Sequence, residues 1–122
     1  MRTLIISLAV VLLTPMSLRA ETTDDEIDFL LETVATSNCT FIRNGKEHNA
    51  ADASDHLAMK RRRGKRYFDT TEEFIENLAS KSSWTGKPYQ IRCGDDEAVP
   101  AGIWFTALID ERRAAISSRA VD

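Results

Sequence analysis

Two histidines, two adjacent serines and several isolated cations are the residues in this chain with chemistry to offer. His48, Asp52 and His56 recur every four positions. On a continuous helix that interval stacks three side chains on one face, as a zinc or copper site requires. Asn49, however, has the character of a helix cap, which puts His48 outside the helix and leaves His56, beside Leu57, as a half-buried packing residue. No metal site and no cofactor are predicted. Ser82 or Ser83 with His48 and Asp52 would supply the residue types of a serine hydrolase, whose base must touch the nucleophile and be oriented by a third group. Neither serine sits in a glycine-flanked elbow, so no catalytic residue is assigned. Arg43 and Lys87 suit the gripping of a carboxylate or phosphate, arginine through its planar fork. The densest charge block, "KRRRGKR" from Lys60 to Arg66, reads as a solvated helix end that complements the helix dipole rather than as a lipid-binding surface.

The elements that must position these residues follow from periodicity. Thr23 with Glu26 has the spacing of a capping box, and Ile27, Leu30, Leu31 and Val34 recur at helical intervals, so a first helix is expected over 24–36. Its acidic first turn suits the positive end of the dipole. "CTFIRNG" reads as a short strand running into Asn44-Gly45, the commonest tight-turn dipeptide. Asn49 caps a second helix through Ala53, Leu57 and Lys60, with Gly64 ending it in a left-handed conformation. Thr70 and Glu73 open a third helix that ends near Ser80. Gly86, Lys87 and Pro88 form a turn, after which Tyr89, Ile91 and Cys93 alternate with Gln90 and Arg92 as in a half-buried strand. "GDDEAVPAG" is a polar connection. A fourth helix follows Pro100, with Trp104, Phe105, Leu108 and Ile109 inward, Glu111, Arg112 and Arg113 outward, and a frayed tail from Ser117.

The first 20 of the 122 residues, with a positive charge at Arg2 ahead of an apolar run over 4–13 and with Ala20 before an acidic stretch, have the pattern of a secretory signal peptide. The run is shorter than the roughly 20 apolar residues of a membrane span. Cleavage after Ala20 leaves residues 21–122 as one small domain, expected in an oxidising, periplasmic setting. The formal net charge is −3, and loss of Arg2 and Arg19 takes it to −5, which does not suit a general nucleic-acid binder. Cys39 and Cys93 are therefore expected to form one disulfide. If the two strands pair, that bond demands an antiparallel register with Phe41 opposite Ile91 and Arg43 opposite Tyr89. Cys39, Phe41, Tyr89, Ile91 and Cys93 then share one face. The expected fold is α+β, about four helices packed on a short two-stranded antiparallel ribbon closed by the disulfide, with an all-α bundle as the alternative.

This register also brings the Asn44-Gly45 and Gly86-Lys87-Pro88 turns side by side. It collects Arg43, Asn44, His48, Ser83, Trp84, Thr85 and Lys87 into one polar patch, the candidate binding site. Serines in such turns more often hold local backbone than bind a ligand.

Four segments in order, "FIRNG" at 41–45, "HLAMK" at 56–60, "TEEFI" at 71–75 and "ASKSSWTGKPY" at 79–89, resemble the YfeK-like family of small exported bacterial proteins, a domain of unknown function. The resemblance spans most of residues 21–122. It implies a bacterial envelope setting and carries no site residues over. The sequence thus points to a non-enzymatic exported module that binds an envelope protein or small ligand through the turn patch. The alternatives are a small hydrolase-like enzyme using His48 with Ser83 or Lys87, and a purely structural envelope protein.

Overall fold

The computed structural model describes residues 5, 7–13 and 20–121. Much of the expected leader, including 14–19 before the expected cleavage point, lies outside the described residues.

Helix α1, Thr23–Thr36, begins one residue earlier than its periodicity implied. The capping box is made by Thr22 and Asp25 rather than by Thr23 and Glu26: the Thr22 side chain accepts from the Asp25 amide, and Asp25 accepts from the Thr22 amide. Glu26 is freed for another task. It is buried, accepts 2.6 Å from Thr71 Oγ1, and is gripped by Nε and Nη2 of Arg113, each at 2.8 Å. Arg112 binds Glu21 in the same two-pronged way. The two arginines expected to face solvent instead clamp the fourth helix, α4 (Ala101–Val121), to the start of α1. The forked geometry matches two carboxylate oxygens at once.

The sheet has four antiparallel strands in the order β2-β1-β3-β4, not two. Strands β1, Thr40–Arg43, and β3, Gln90–Arg92, are the expected pair, and Phe41 lies opposite Ile91 in the expected register. Cys39 and Cys93 are disulfide-bonded across the end of that ladder. Strand β2, Lys46–His48, returns along β1 through the two-residue Asn44-Gly45 turn. Both turn residues have positive φ, 50° and 77°, the backbone of the tight hairpin turn that this dipeptide favours. Strand β4, Val99–Pro100, is only two residues long and falls in the stretch read as a polar connection. Period-two reasoning needs several residues to register, and neither added strand offers an apolar alternation.

Helix α2, Ala50–Arg63, is capped by Asn49, which accepts from the Asp52 amide. Gly64 ends it at φ −103°, not in the left-handed region. The glycine is required by space: a Cβ there would lie 2.8 Å from both Leu78 methyls and 2.8 Å from the Lys60 carbonyl. After a 3₁₀ turn, Lys65–Tyr67, helix α3, Thr71–Phe74, opens on Thr70 and widens into a π turn over Ile75–Ala79, closed by the Ser80 amide on the Ile75 carbonyl at 2.9 Å. Helix α4, Ala101–Val121, stays helical through the region expected to fray.

Ile27, Leu30 and Val34 of α1 meet Phe74 and Leu78, Phe105 and Ile109 of α4, and Phe41 and Ile91 of the sheet in one core. Each such side chain contributes about 2 kcal/mol by leaving water. The polar edge of that core, past the last ladder pair, is where the candidate site lies.

Candidate functional site

The β1–β3 register sets the site. One step beyond Ile42 and Gln90, the chain presents Arg43 and Tyr89 on the same face as Phe41 and Ile91. Apolar packing ends at that step, and the side chains become hydrogen-bonding. Opposite them stands the last turn of α2. Its inward positions continue the series Ala50, Ala53, Leu57 and Lys60, all buried, so a lysine occupies what the spacing marks as a core position. Lys60 is 7% exposed, against the expectation of a solvated charge block; Arg62, Arg63, Lys65 and Arg66 around it are exposed.

Lys60 Nζ donates to the Lys81 carbonyl at 2.9 Å and to the Tyr89 hydroxyl at 3.2 Å, and lies 5.0 Å from the centre of the Tyr89 ring. The Tyr89 hydroxyl is also 3.3 Å from His56 Nε2. Burial, reinforced by Arg43 and Lys60, pushes His56 down to about 4, so near neutral pH its imidazole is uncharged. The ammonium donates to the tyrosine oxygen, and with the imidazole uncharged the direction of the Tyr89–His56 bond is set by the imidazole tautomer. Burial first, then Arg43 and Lys81, pushes Lys60 down to about 8. Burial likewise pushes the Tyr89 phenol up. Arg43 gives Nη2 to His48 Nδ1 at 3.3 Å, while its buried Nε has no partner among the described residues.

These groups line a cavity of about 430 Å³. Its walls are Arg43, Lys60 and Tyr89 with His56 at the inner end, Met59 and Leu78 along the side, and Arg63, Tyr67, Ser83 and Trp84 toward the mouth. Among the described residues that line it there is no carboxylate. A larger groove of about 740 Å³ between the π turn and α4 is shallower, and Glu72, Glu76 and Asp110 lie along it.

Of the residues picked out from sequence, Arg43, Asn44, Ser83 and Trp84 border the cavity. The two turns do meet: Thr85 Oγ1 donates to Asn44 Oδ1 at 2.7 Å, and Asn44 Nδ2 donates to Ser82 Oγ at 3.4 Å. His48 bonds Arg43 without lining the cavity, and the exposed Lys87 is not among the lining residues either. No hydrogen bond among the described residues joins His48 to Ser83 or Lys87. Ser82 is buried, and its hydroxyl accepts from the Trp84 and Thr85 amides, so it braces the loop. Sequence reasoning missed Lys60, His56 and Tyr89 as a group. The available signal was Lys60 in phase with Ala53 and Leu57, a charge at a core position.

Among the described residues no helix is long and apolar enough to cross a membrane. No solved structure matches the chain. The uncharacterized protein YfeK of Salmonella typhimurium is 50% identical over 50 residues, which cover 41% of this chain and 42% of that protein, so the match spans less than half of the relative. The family described as "Family of unknown function (DUF5329)" matches residues 21–113. That span takes in both cysteines, all four strands and every residue of the cavity, and the chain belongs to this family.

Proposed function

We propose that the chain is an exported, non-catalytic binding module that takes a small anionic ligand in the cavity framed by Arg43, Lys60 and Tyr89. The observation that carries this reading is the near-complete burial of Lys60 in a wall that also holds Arg43 and Arg63 and, among the described residues, no carboxylate. A buried charge without a counter-ion is costly, and its two neutral partners offset only part of that cost. The carbonyl end of α2 supplies roughly half a negative charge, less than the cluster carries. An anion in the cavity would complete the balance. Catalysis by His48 with Ser83 or Lys87 draws no support from a contact between them.

Export is favoured by three observations. The described apolar residues of the leader, among them Leu8, Leu12 and Leu13, are exposed and add nothing to the core. The family match begins at residue 21, directly after the expected cleavage point. The disulfide suits an oxidising compartment, for which the bacterial periplasm is the reading here.

The test is an NMR titration of residues 21–122 with acetate and, separately, inorganic phosphate at constant ionic strength. Saturable amide shifts centred on Lys60, Trp84 and Tyr89, lost in Lys60→Met, are expected. Shifts scattered over the surface, or unchanged in the variant, count against the cavity.

A further inference from the structure

Resting on that reading, we propose that the ligand is a small monocarboxylate with a flat or apolar body, its carboxylate at Lys60 and its body against Met59, Tyr67 and Trp84. Three features of the cavity select this class.

The first is the scarcity of backbone donors. Phosphate sites draw on helix amino ends or on clusters of free amides. This cavity lies at the opposite end of a helix, where Lys60 and Arg63 occupy the final turn of α2 and Gly64 caps it. Several of the amides around it are already committed: Gly64 to the Lys60 carbonyl, Tyr67 to the Gly64 carbonyl, Tyr89 to the Ser80 carbonyl and Trp84 to Ser82 Oγ. A multiply charged oxyanion would face the negative end of the dipole with few donors.

The second is the count of side-chain donors. Lys60 spends two of its three N–H groups on Lys81 and Tyr89, which leaves one for a ligand. Arg43, another wall residue, supplies the next from its buried Nε, which has no partner among the described residues. Two such single buried donors match the two oxygens of a carboxylate better than the three terminal oxygens of a phosphate.

The third is Trp84. Its side chain is 97% exposed, although tryptophan is on average a highly buried residue. The loop that carries it is held in place, because Ser82 Oγ accepts from the amides of Trp84 and Thr85, and Thr85 in turn bonds Asn44. The indole is therefore presented at the cavity by an ordered turn, and half-exposed Tyr67 and Met59 line the same cavity. A cavity of about 430 Å³ with donors at its inner end and aromatic groups at its mouth suits a molecule with a charged head and an apolar body.

The test uses Trp104→Phe, which leaves Trp84 as the single indole, since the chain has two tryptophans. Its fluorescence is titrated with phenylacetate, phenylacetamide, phenyl phosphate and acetate, and amide resonances of the unsubstituted chain are followed in parallel so that the result does not depend on the substitution. Phenylacetate is expected to saturate the signal, with each of the other three at least tenfold weaker, and with Lys60→Met and Trp84→Ala each weakening phenylacetate at least tenfold. Phenyl phosphate binding as well as phenylacetate overturns the carboxylate class while leaving an anion site standing. Acetate equal to phenylacetate, or no effect of Trp84→Ala, overturns the apolar body and again spares the anion site. Phenylacetamide equal to phenylacetate, or no saturable shift with any probe, overturns both the ligand class and the proposed function.

Discussion

Lys60 Nζ and the Tyr89 hydroxyl are 3.2 Å apart, a helix charge resting on a phenol one residue before β3, at the point where the core face of the sheet turns polar. Burial holds this lysine at about 8 in the folded chain, below its ordinary value of 10.5. Between those two values the unfolded chain binds more protons than the folded one, so stability rises as pH rises through that window. Above pH 10 the Tyr89 phenol, pushed up by burial, pulls the other way. Urea unfolding measured from pH 8 to pH 10 should therefore show a gain of about 2 kcal/mol that is missing in Lys60→Met. Parallel curves for the two proteins would mean that Lys60 is solvated.

His56 gives the acid counterpart. Its folded value of about 4 lies below the ordinary 6.5, with burial as the main cause and Arg43 the next. Stability is lost as pH falls from 6.5 toward 4, because the unfolded chain takes up the proton first. The loss attributable to this residue is about 3 kcal/mol at most, read as the difference between the native chain and His56→Gln over that range. An imidazole that titrates near 6.5 by NMR in the folded protein would remove this effect.

The Cys39–Cys93 bond closes a loop with a sequence separation of 54. In the chain-entropy picture a loop of that size restricts the unfolded state by about 4 kcal/mol. Reduction, or the paired change Cys39→Ser with Cys93→Ser, should lower the unfolding free energy by about that amount. A change below about 1 kcal/mol would indicate that the β1–β3 ladder and its Phe41–Ile91 pair hold the register unaided.

The β1–β3 register was legible because a covalent requirement and a period-two pattern agreed: once Cys39 faces Cys93, every opposite pair follows. Strands β2 and β4 were not, since "KEH" and "VP" bury little and exist through the Asn44-Gly45 turn and through pairing with β3. The meeting of the two turns was legible from that same register, and Asn44 with Thr85 realises it. The cationic interior was hidden by composition. Lys60 opens a run of seven residues with six cations, and nothing in the run's local pattern distinguishes the buried member from its solvated neighbours. Its phase with Ala53 and Leu57 does, but only once the helix face is known. Glu26 was obscured in a similar way, because an acidic residue in a first turn already has a sufficient local explanation in the dipole. Its ties to Arg113 and Thr71 are 87 and 45 residues distant.

Gly64 joins fold and site. It ends α2 without adopting a left-handed backbone, so loss of conformational freedom is not what an alanine would suffer there. The obstacle is contact: the added methyl would meet both terminal carbons of Leu78 and the carbonyl of Lys60, each at 2.8 Å. Leu78 can swing its methyls, whereas the Lys60 carbonyl accepts the Gly64 amide and cannot retreat without opening the last turn of the helix. Gly64→Ala should cost about 1–3 kcal/mol. Leu78→Ala alone should cost about 2–5 kcal/mol as a truncation in the core. Because the two side chains would compete for the same space, the double variant should be less destabilised than the sum of the single changes, by at least about 0.5 kcal/mol. Strict additivity in urea unfolding would show that the crowding is relieved elsewhere. Since Gly64 and Leu78 both line the cavity, the same three variants also separate its shape from its charge: Gly64→Ala should weaken phenylacetate while leaving the pH 8 to 10 stability gain of Lys60 in place.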